Sequence, residues 1–253
     1  MTEIAKRPAG EGSSVASRRK ITIVVETPHA RIELAHAGTE PDIIRSLASV
    51  DTMDLRPVVL EGDLVRLEPL APSHVPGLWA AAQHPDIWRW LPFRVGSEAE
   101  ASQLVAFANA AATKGGMLAF AQILRASHEI MGSTSYLAVE PAQRRLEIGA
   151  TWLHPRHQRT GANTEAKLLL LRHAFEALGC ERVEFKTDSE NKASRAALAR
   201  IGASEEGTLR SHMARFDGGR RDSVYFSVIA PEWPRVRAHL EGLLARPRKP
   251  LPR

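Results

Sequence analysis

Cysteine is almost missing: Cys180 is the only one in 253 residues. One thiol excludes an intrachain disulfide and any Cys-rich zinc site, and it agrees with a reducing compartment, so the cytoplasm is the expected location. No run of about 18 apolar residues exists to cross a bilayer. The most apolar stretch, Leu104 to Leu124, is broken by Asn109 and by Lys114-Gly115-Gly116. A dominant charge is lacking as well. The formal +5 owes +4 to Arg246, Arg248, Lys249 and Arg253, while residues 1–52 balance seven basic against seven acidic side chains. The body is nearly neutral, which argues against a nucleic-acid partner. What is present, 43% hydrophobic and 25% charged residues, is the mix of a globular chain with ample material for a core.

The first segment reads differently from the rest. Gly10, Gly12, Ser13, Ser14 and Ser17 precede Arg18-Arg19-Lys20, and one apolar run, Ile21 to Val25, has strand character before Pro28, Gly38 and Pro41 interrupt any long element. Glu3, Glu11 and the missing apolar segment speak against a transit or secretory peptide. Residues 1–53 are therefore expected to be a flexible extension. Met53, just ahead of Asp54-Leu55-Arg56-Pro57, is an alternative translation start, which the intact mass of the native product would decide. A single domain is expected over residues 54–245, followed by a basic, Pro-rich tail at 246–253.

Within that domain, Leu64 to Pro69 alternates as a half-buried strand does. Ser73 heads a short helix through Ala82, and Ser97-Glu98-Ala99-Glu100 is a capping box opening an Ala-rich helix. Between them the aromatics Trp88, Trp90 and Phe93 suit either a packed loop or the wall of an acceptor site. Leu118–Leu124, Ile130–Val139 and Leu146–Leu153 form an antiparallel meander with short connections. After Pro155 the apolar period changes to that of a helix, with Asn163 able to cap it and Gly179 able to end it. A strand at Arg182–Thr187, a helix at Asn191–Ile201, two strands around Asp217-Gly218-Gly219 and a helix at Pro231–Ala245 complete a mixed α/β order.

Leu146 to Leu153, the loop to Gly161, and the following helix make a strand, glycine-containing loop and helix start, an arrangement whose free N–H groups and dipole favour an anion. Arg156 and Arg159 would add positive charge. The same pattern also fits an ordinary strand-to-helix turn. A P-loop is excluded because Ala166 precedes Lys167 and Leu168 follows it. A dinucleotide fingerprint is excluded because Gly161 stands alone. His154 and His157 match no zinc motif; they read as exposed loop residues, and no metal is expected.

Gln158-x-x-Gly161-x-Asn163 after a strand, Asn191-x-x-Ser194 opening a later helix, and Ile201-Gly202-Ala203-x-x-Glu206-Gly207 together resemble the GNAT acetyltransferases, and among them the ribosomal-protein N-terminal branch. The resemblance covers roughly Pro57 to Trp233; Asn163 stands where Gly or Ala is usual. It implies a largely antiparallel split sheet flanked by helices, with one central parallel pair between Leu146–Leu153 and Arg182–Thr187. It further implies acetyl-CoA as co-substrate and an amine as acceptor. Backbone groups of Trp152, Leu153 and His154 would hold the pantetheine arm. Gln158, Arg159, Thr160, Gly161, Ala162, Asn163 and Thr164 would form the pyrophosphate loop. Asn191 would bind the pantetheine or its leaving end, and Ser194 would assist the departing thiolate.

Glu147 is the first choice for a base, ahead of Glu184 and Asp222, and equally fits a structural ion pair with Arg144 or Arg145. The expected reaction is direct transfer in a ternary complex to a protein N-terminal α-amine. The alternatives are a small-molecule amine acceptor and a non-catalytic acyl-CoA sensor. A monomer or a homodimer is equally compatible, and no membrane or nucleic-acid partner is expected.

Overall fold

The computed structural model describes residues 20–27, 30–37, 53–215 and 218–246. The chain divides into two compact units, Met1–Thr52 and Met53–Arg253. In the first, β1 (Lys20–Thr27) pairs antiparallel with β2 (Ala30–Ala37), so the strand expected at Ile21–Val25 is present and has a partner. The rest of the expected extension and the tail beyond Arg246 lie outside the described residues.

The second unit carries an eight-stranded sheet: β3 (Leu60–Glu61), β4 (Val65–Pro69), β5 (Leu118–Leu124), β6 (Ile130–Glu140), β7 (Arg145–Leu153), β8 (Arg182–Asp188), β9 (Ser204–Ala214) and β10 (Arg220–Ile229). Their spatial order is β3-β4-β5-β6-β7-β8-β10-β9, antiparallel throughout except for the parallel pair β7 and β8. The helices are α1 (Val75–Ala81), α2 (Glu98–Ala112), α3 (Ala162–Arg172), α4 (Lys192–Arg200) and α5 (Trp233–Ala245). None is long and apolar enough to cross a membrane.

The sheet separates two cores. Strand alternation sends Leu118, Phe120 and Leu124 of β5 to the side where Leu170, Leu171, Val236 and Leu240 pack, and Ala119, Ala121 and Ile123 to the side of Leu78, Val105 and Trp88. Met53 belongs to the first core, with its Sδ 3.3 Å from Cys180 Sγ. Burial pushes that thiol up to about 12, so it stays protonated and unreactive.

Helix starts follow local chemistry. Ser97 Oγ accepts the Glu100 N–H at 3.2 Å, but Glu100 reaches back to the N–H of Gly96 at 2.7 Å, so the expected capping box is displaced by one residue. Asn163 does not cap α3. The N-cap is Gly161 in a left-handed conformation at φ 95°, where a side chain would be strained. Beyond α3 a wide turn over His173–Ala177 leads to Gly179 at φ 62°, the expected stop. The buried Glu165 carboxylate accepts from the N–H groups of Asp63 (3.0 Å), Leu64 (2.7 Å) and Val65 (2.7 Å), tying α3 to the turn before β4.

One irregularity sets the side-chain directions at the centre. Ser133 pairs with Trp152 and Ser135 with Gly149, so β7 holds one residue more than β6 across that interval, and Ala150 takes φ 48°. This bulge turns Trp152 to the face that Glu147 and Gly149 occupy, and Thr151 and Leu153 to the α3 face.

Candidate active site

β7 and β8 are in register only from Arg145 opposite Arg182 to Glu147 opposite Glu184. β7 then continues to Leu153 and β8 to Asp188 without pairing each other, and the sheet opens into a V. The edge of β7 facing the gap is a row of backbone groups without a strand, the template an extended ligand needs. The N–H of His154 is spent on the Met131 carbonyl at 2.8 Å, and the Trp152 carbonyl points at Gly132. Alternation leaves Leu153 facing the gap, where Gln158 Nε2 donates to its carbonyl at 3.4 Å.

At the end of β7 lies the start of α3. No side chain caps it, and the N–H groups of Gly161, Asn163 and Thr164 take no partner among the described residues. Thr160 Oγ1 donates to the His157 carbonyl at 2.7 Å and fixes the loop from below. The amide oxygen of Asn163 is buried without a hydrogen bond. Turning that amide over would aim two donors at the same place.

Arg156 does not add free positive charge, because its guanidinium is paired with Glu129. Arg159 forms no ion pair among the described residues and stands exposed at φ 62°. His157 is not an exposed loop residue: it is fully buried, its Nε2 is 3.0 Å from Glu129 Oε1, and burial with the neighbouring Arg156 lowers its pKa to about 4. His154 is also held below the ordinary histidine value, by partial burial and then by His157 and His84. At about 4, the His157 ring is neutral at pH 7.

Across the V, Asn191 Oδ1 accepts the Ser194 N–H at 3.0 Å and caps α4. This places the half-buried Ser194 at the helix start, its hydroxyl free of hydrogen bonds among the described residues. Glu147 is 5% exposed and pairs with Lys186 Nζ at 2.9 Å, not with Arg144 or Arg145. The reserve candidates are engaged elsewhere: Glu184 with Arg182 at 2.9 Å, and Asp222 with the N–H of Ser211 at 2.7 Å.

Around Glu147, on the face away from α3, the sheet presents Lys186, Tyr225, Ser223, Asp188 and Arg221. The aromatic segment around Trp88 and Trp90 and the end of the β9–β10 hairpin meet here. Arg221 Nη1 donates to the Trp90 carbonyl at 3.4 Å, and Arg215 lies 5.7 Å from the centre of the Trp90 ring. Trp88 and Trp152 pack at 5.2 Å beneath, and the indole N–H of Trp152 is buried without a partner. Two hollows lie elsewhere. One of about 880 Å³ is lined by Gly62, Leu168 and Leu169, and one of about 440 Å³ borders His154 and Arg156.

A family model described as an acetyltransferase (GNAT) domain matches residues 65–204. YdaF of Bacillus subtilis, named as a candidate ribosomal N-acetyltransferase, is 34% identical over 104 residues. That match covers 41% of this chain and 56% of YdaF, and the chain spans under two thirds of the curated relatives it matches first. Among solved structures, a GCN5-related N-acetyltransferase from Brucella melitensis is 33% identical with a TM-score of 0.70, over 76% of this chain and 87% of that one. RimJ of Mycobacterium smegmatis, solved with CoA-disulfide, is 26% identical with a TM-score of 0.66, over 75% and 96% of the two chains. The matched region runs from β4 through the V and the open start of α3 to the beginning of β9, and the chain belongs to the GNAT acetyltransferase family.

Proposed function

We propose that the chain transfers the acetyl group of acetyl-CoA to an amine, the α-amine of a protein N-terminus, directly within a ternary complex. The uncapped start of α3 at the mouth of the V carries this reading. The free N–H groups of Gly161, Asn163 and Thr164, with Ala162, Thr160 and Arg159 around them, suit a pyrophosphate. Leu153 offers the pantetheine arm an edge beside Trp152 and His154, and donors on that edge would stabilise charge on the thioester oxygen. Asn191 positions Ser194, whose hydroxyl is free to donate to a departing thiolate. The relatives named above, one a candidate ribosomal acetyltransferase, favour the protein N-terminus as acceptor.

The first test is calorimetric titration of the full chain with acetyl-CoA, with NAD and ATP as controls. Binding selective for acetyl-CoA at about micromolar Kd, near −8 kcal/mol, is expected. A folded chain that ignores acetyl-CoA would remove the reading. Tight binding without turnover on any amine would favour an acyl-CoA sensor.

The proton of the attacking ammonium goes to Glu147, directly or through water. Glu147→Gln is expected to lower the rate about 100-fold and flatten its acid limb, while the amide keeps a hydrogen bond to Lys186. An unchanged pH profile would leave Glu147 as a structural partner of Lys186 only.

A further inference from the structure

Two acid–base sets occupy the acceptor face. Glu147 is matched by Lys186 at 2.9 Å, and Arg215 is shared between Asp188, through two bonds of 3.0 and 3.1 Å, and Glu190 at 2.6 Å. Arg221 joins neither. It is 6% exposed, yet its guanidinium holds only neutral groups, Ser223 Oγ at 3.0 Å and the Trp90 carbonyl at 3.4 Å, and forms no ion pair among the described residues. His212 shares Ser223 Oγ at 3.0 Å, and burial, then Lys186 and Arg221, hold its pKa below the ordinary value. A guanidinium keeps its charge at any working pH; Asp188 and Glu147 favour that charge from beyond contact, and no carboxylate pairs with it directly among the described residues.

We propose that the acceptor amine carries a carboxylate, which Arg221 binds while the amine is presented to the thioester. This deepens the acetyl-transfer reading and rests on it for the direction of approach. Arg221 lies where the Trp90 segment meets β10, so a ligand reaching Glu147 along this face passes it. The planar fork of a guanidinium matches a carboxylate through two charge-assisted bonds. The carboxylate has two sources: the α-carboxylate of a free amino acid, or an acidic side chain next to a peptide N-terminus.

The experiment titrates the full chain, saturated with CoA, with two matched pairs of probes. One pair is L-alanine and L-alaninamide; the other is a tripeptide amide with glutamate second and its glutamine counterpart. In at least one pair the carboxylate member is expected to bind about 10- to 100-fold more tightly, and the pair that discriminates identifies the source. Arg221→Gln should bring that ratio to about one, and Arg221→Lys should retain part of it. A ratio measured within one protein does not depend on how much of a variant is folded. No carboxylate preference in either pair, or a preference that survives Arg221→Gln, overturns the proposal. Acetylation of the same probes is scored separately. Carboxylate-dependent binding without turnover would keep the Arg221 site and sink the transfer reading, whereas turnover indifferent to the carboxylate would do the reverse.

Discussion

Replacing Gly132 by alanine is expected to destabilise the fold by about 3–4 kcal/mol and to lower Tm by about 10 °C. Gly132 sits in β6 at φ 156°, and a Cβ there would lie 2.0 Å from the Trp152 carbonyl oxygen and 3.0 Å from the Leu153 Cα. Both obstacles are backbone of the strand that lines the V. They cannot rotate aside as a side chain would, so relief requires β6 and β7 to separate, at the cost of ladder hydrogen bonds and of packing around Trp152. Gly116→Ala is the control, because a Cβ there meets nothing within 4 Å. Thermal unfolding of the two variants decides; equal Tm values would mean that the approach of the strands is not tight.

The second large effect concerns Lys167, which is wholly enclosed between α3 and the sheet. Its ammonium reaches only Thr151 Oγ1, at 2.9 Å, and lies 5.9 Å from the centre of the Phe185 ring. Burial lowers its pKa from 10.5 to about 7. In the folded chain the amine is mostly neutral above about pH 7, whereas the unfolded chain keeps its proton up to the ordinary value. Between those limits the unfolded state binds more protons, so stability rises with pH across that window. Below it the burial penalty is carried in full, up to about 5 kcal/mol. Lys167→Met keeps the length of the side chain, removes the charge, and leaves Thr151 its bond to Thr134 at 2.8 Å. Between pH 6 and 9 the unmodified chain should gain about 2–3 kcal/mol relative to this variant in urea unfolding. Parallel curves would mean that Lys167 is hydrated or paired in solution.

Much of the order of elements was legible because its causes are local. β5 was readable to the residue from its flanking turn signals, and α4 from Asn191 and Gly202. Ala30–Ala37 alternates well enough for a strand, but Pro28 and Gly38 drew attention to breaks, not to the strand between them. The parallel pair came from a resemblance, and β7 and β8 form it. What escaped was long-range. The partner of Glu147, Lys186, is 39 residues away on a strand that alternation alone cannot place beside it. Strict period-two reading puts Glu147 and Leu153 on one face; the bulge at Ala150 reverses this, and no glycine marks it. Arg156 appeared available for phosphate because nothing near it in sequence announces Glu129. The burial of Arg221 without an ion pair was equally hidden, since the Trp90 carbonyl that it meets lies 131 residues away.

The short parallel register between β7 and β8 also has a mechanical meaning. On one side of it stand β3 to β7, on the other β8, β10 and β9, and beyond Glu147 and Glu184 no ladder stitches the two half-sheets together. A molecule lying in the V would act as the absent strand, so its binding energy would be spent on cohesion as well as on recognition. Amide hydrogen exchange would register this as slower opening along Ile148–Leu153 and Lys186–Asp188 together, two stretches distant in sequence that become one cooperative unit when a ligand spans them.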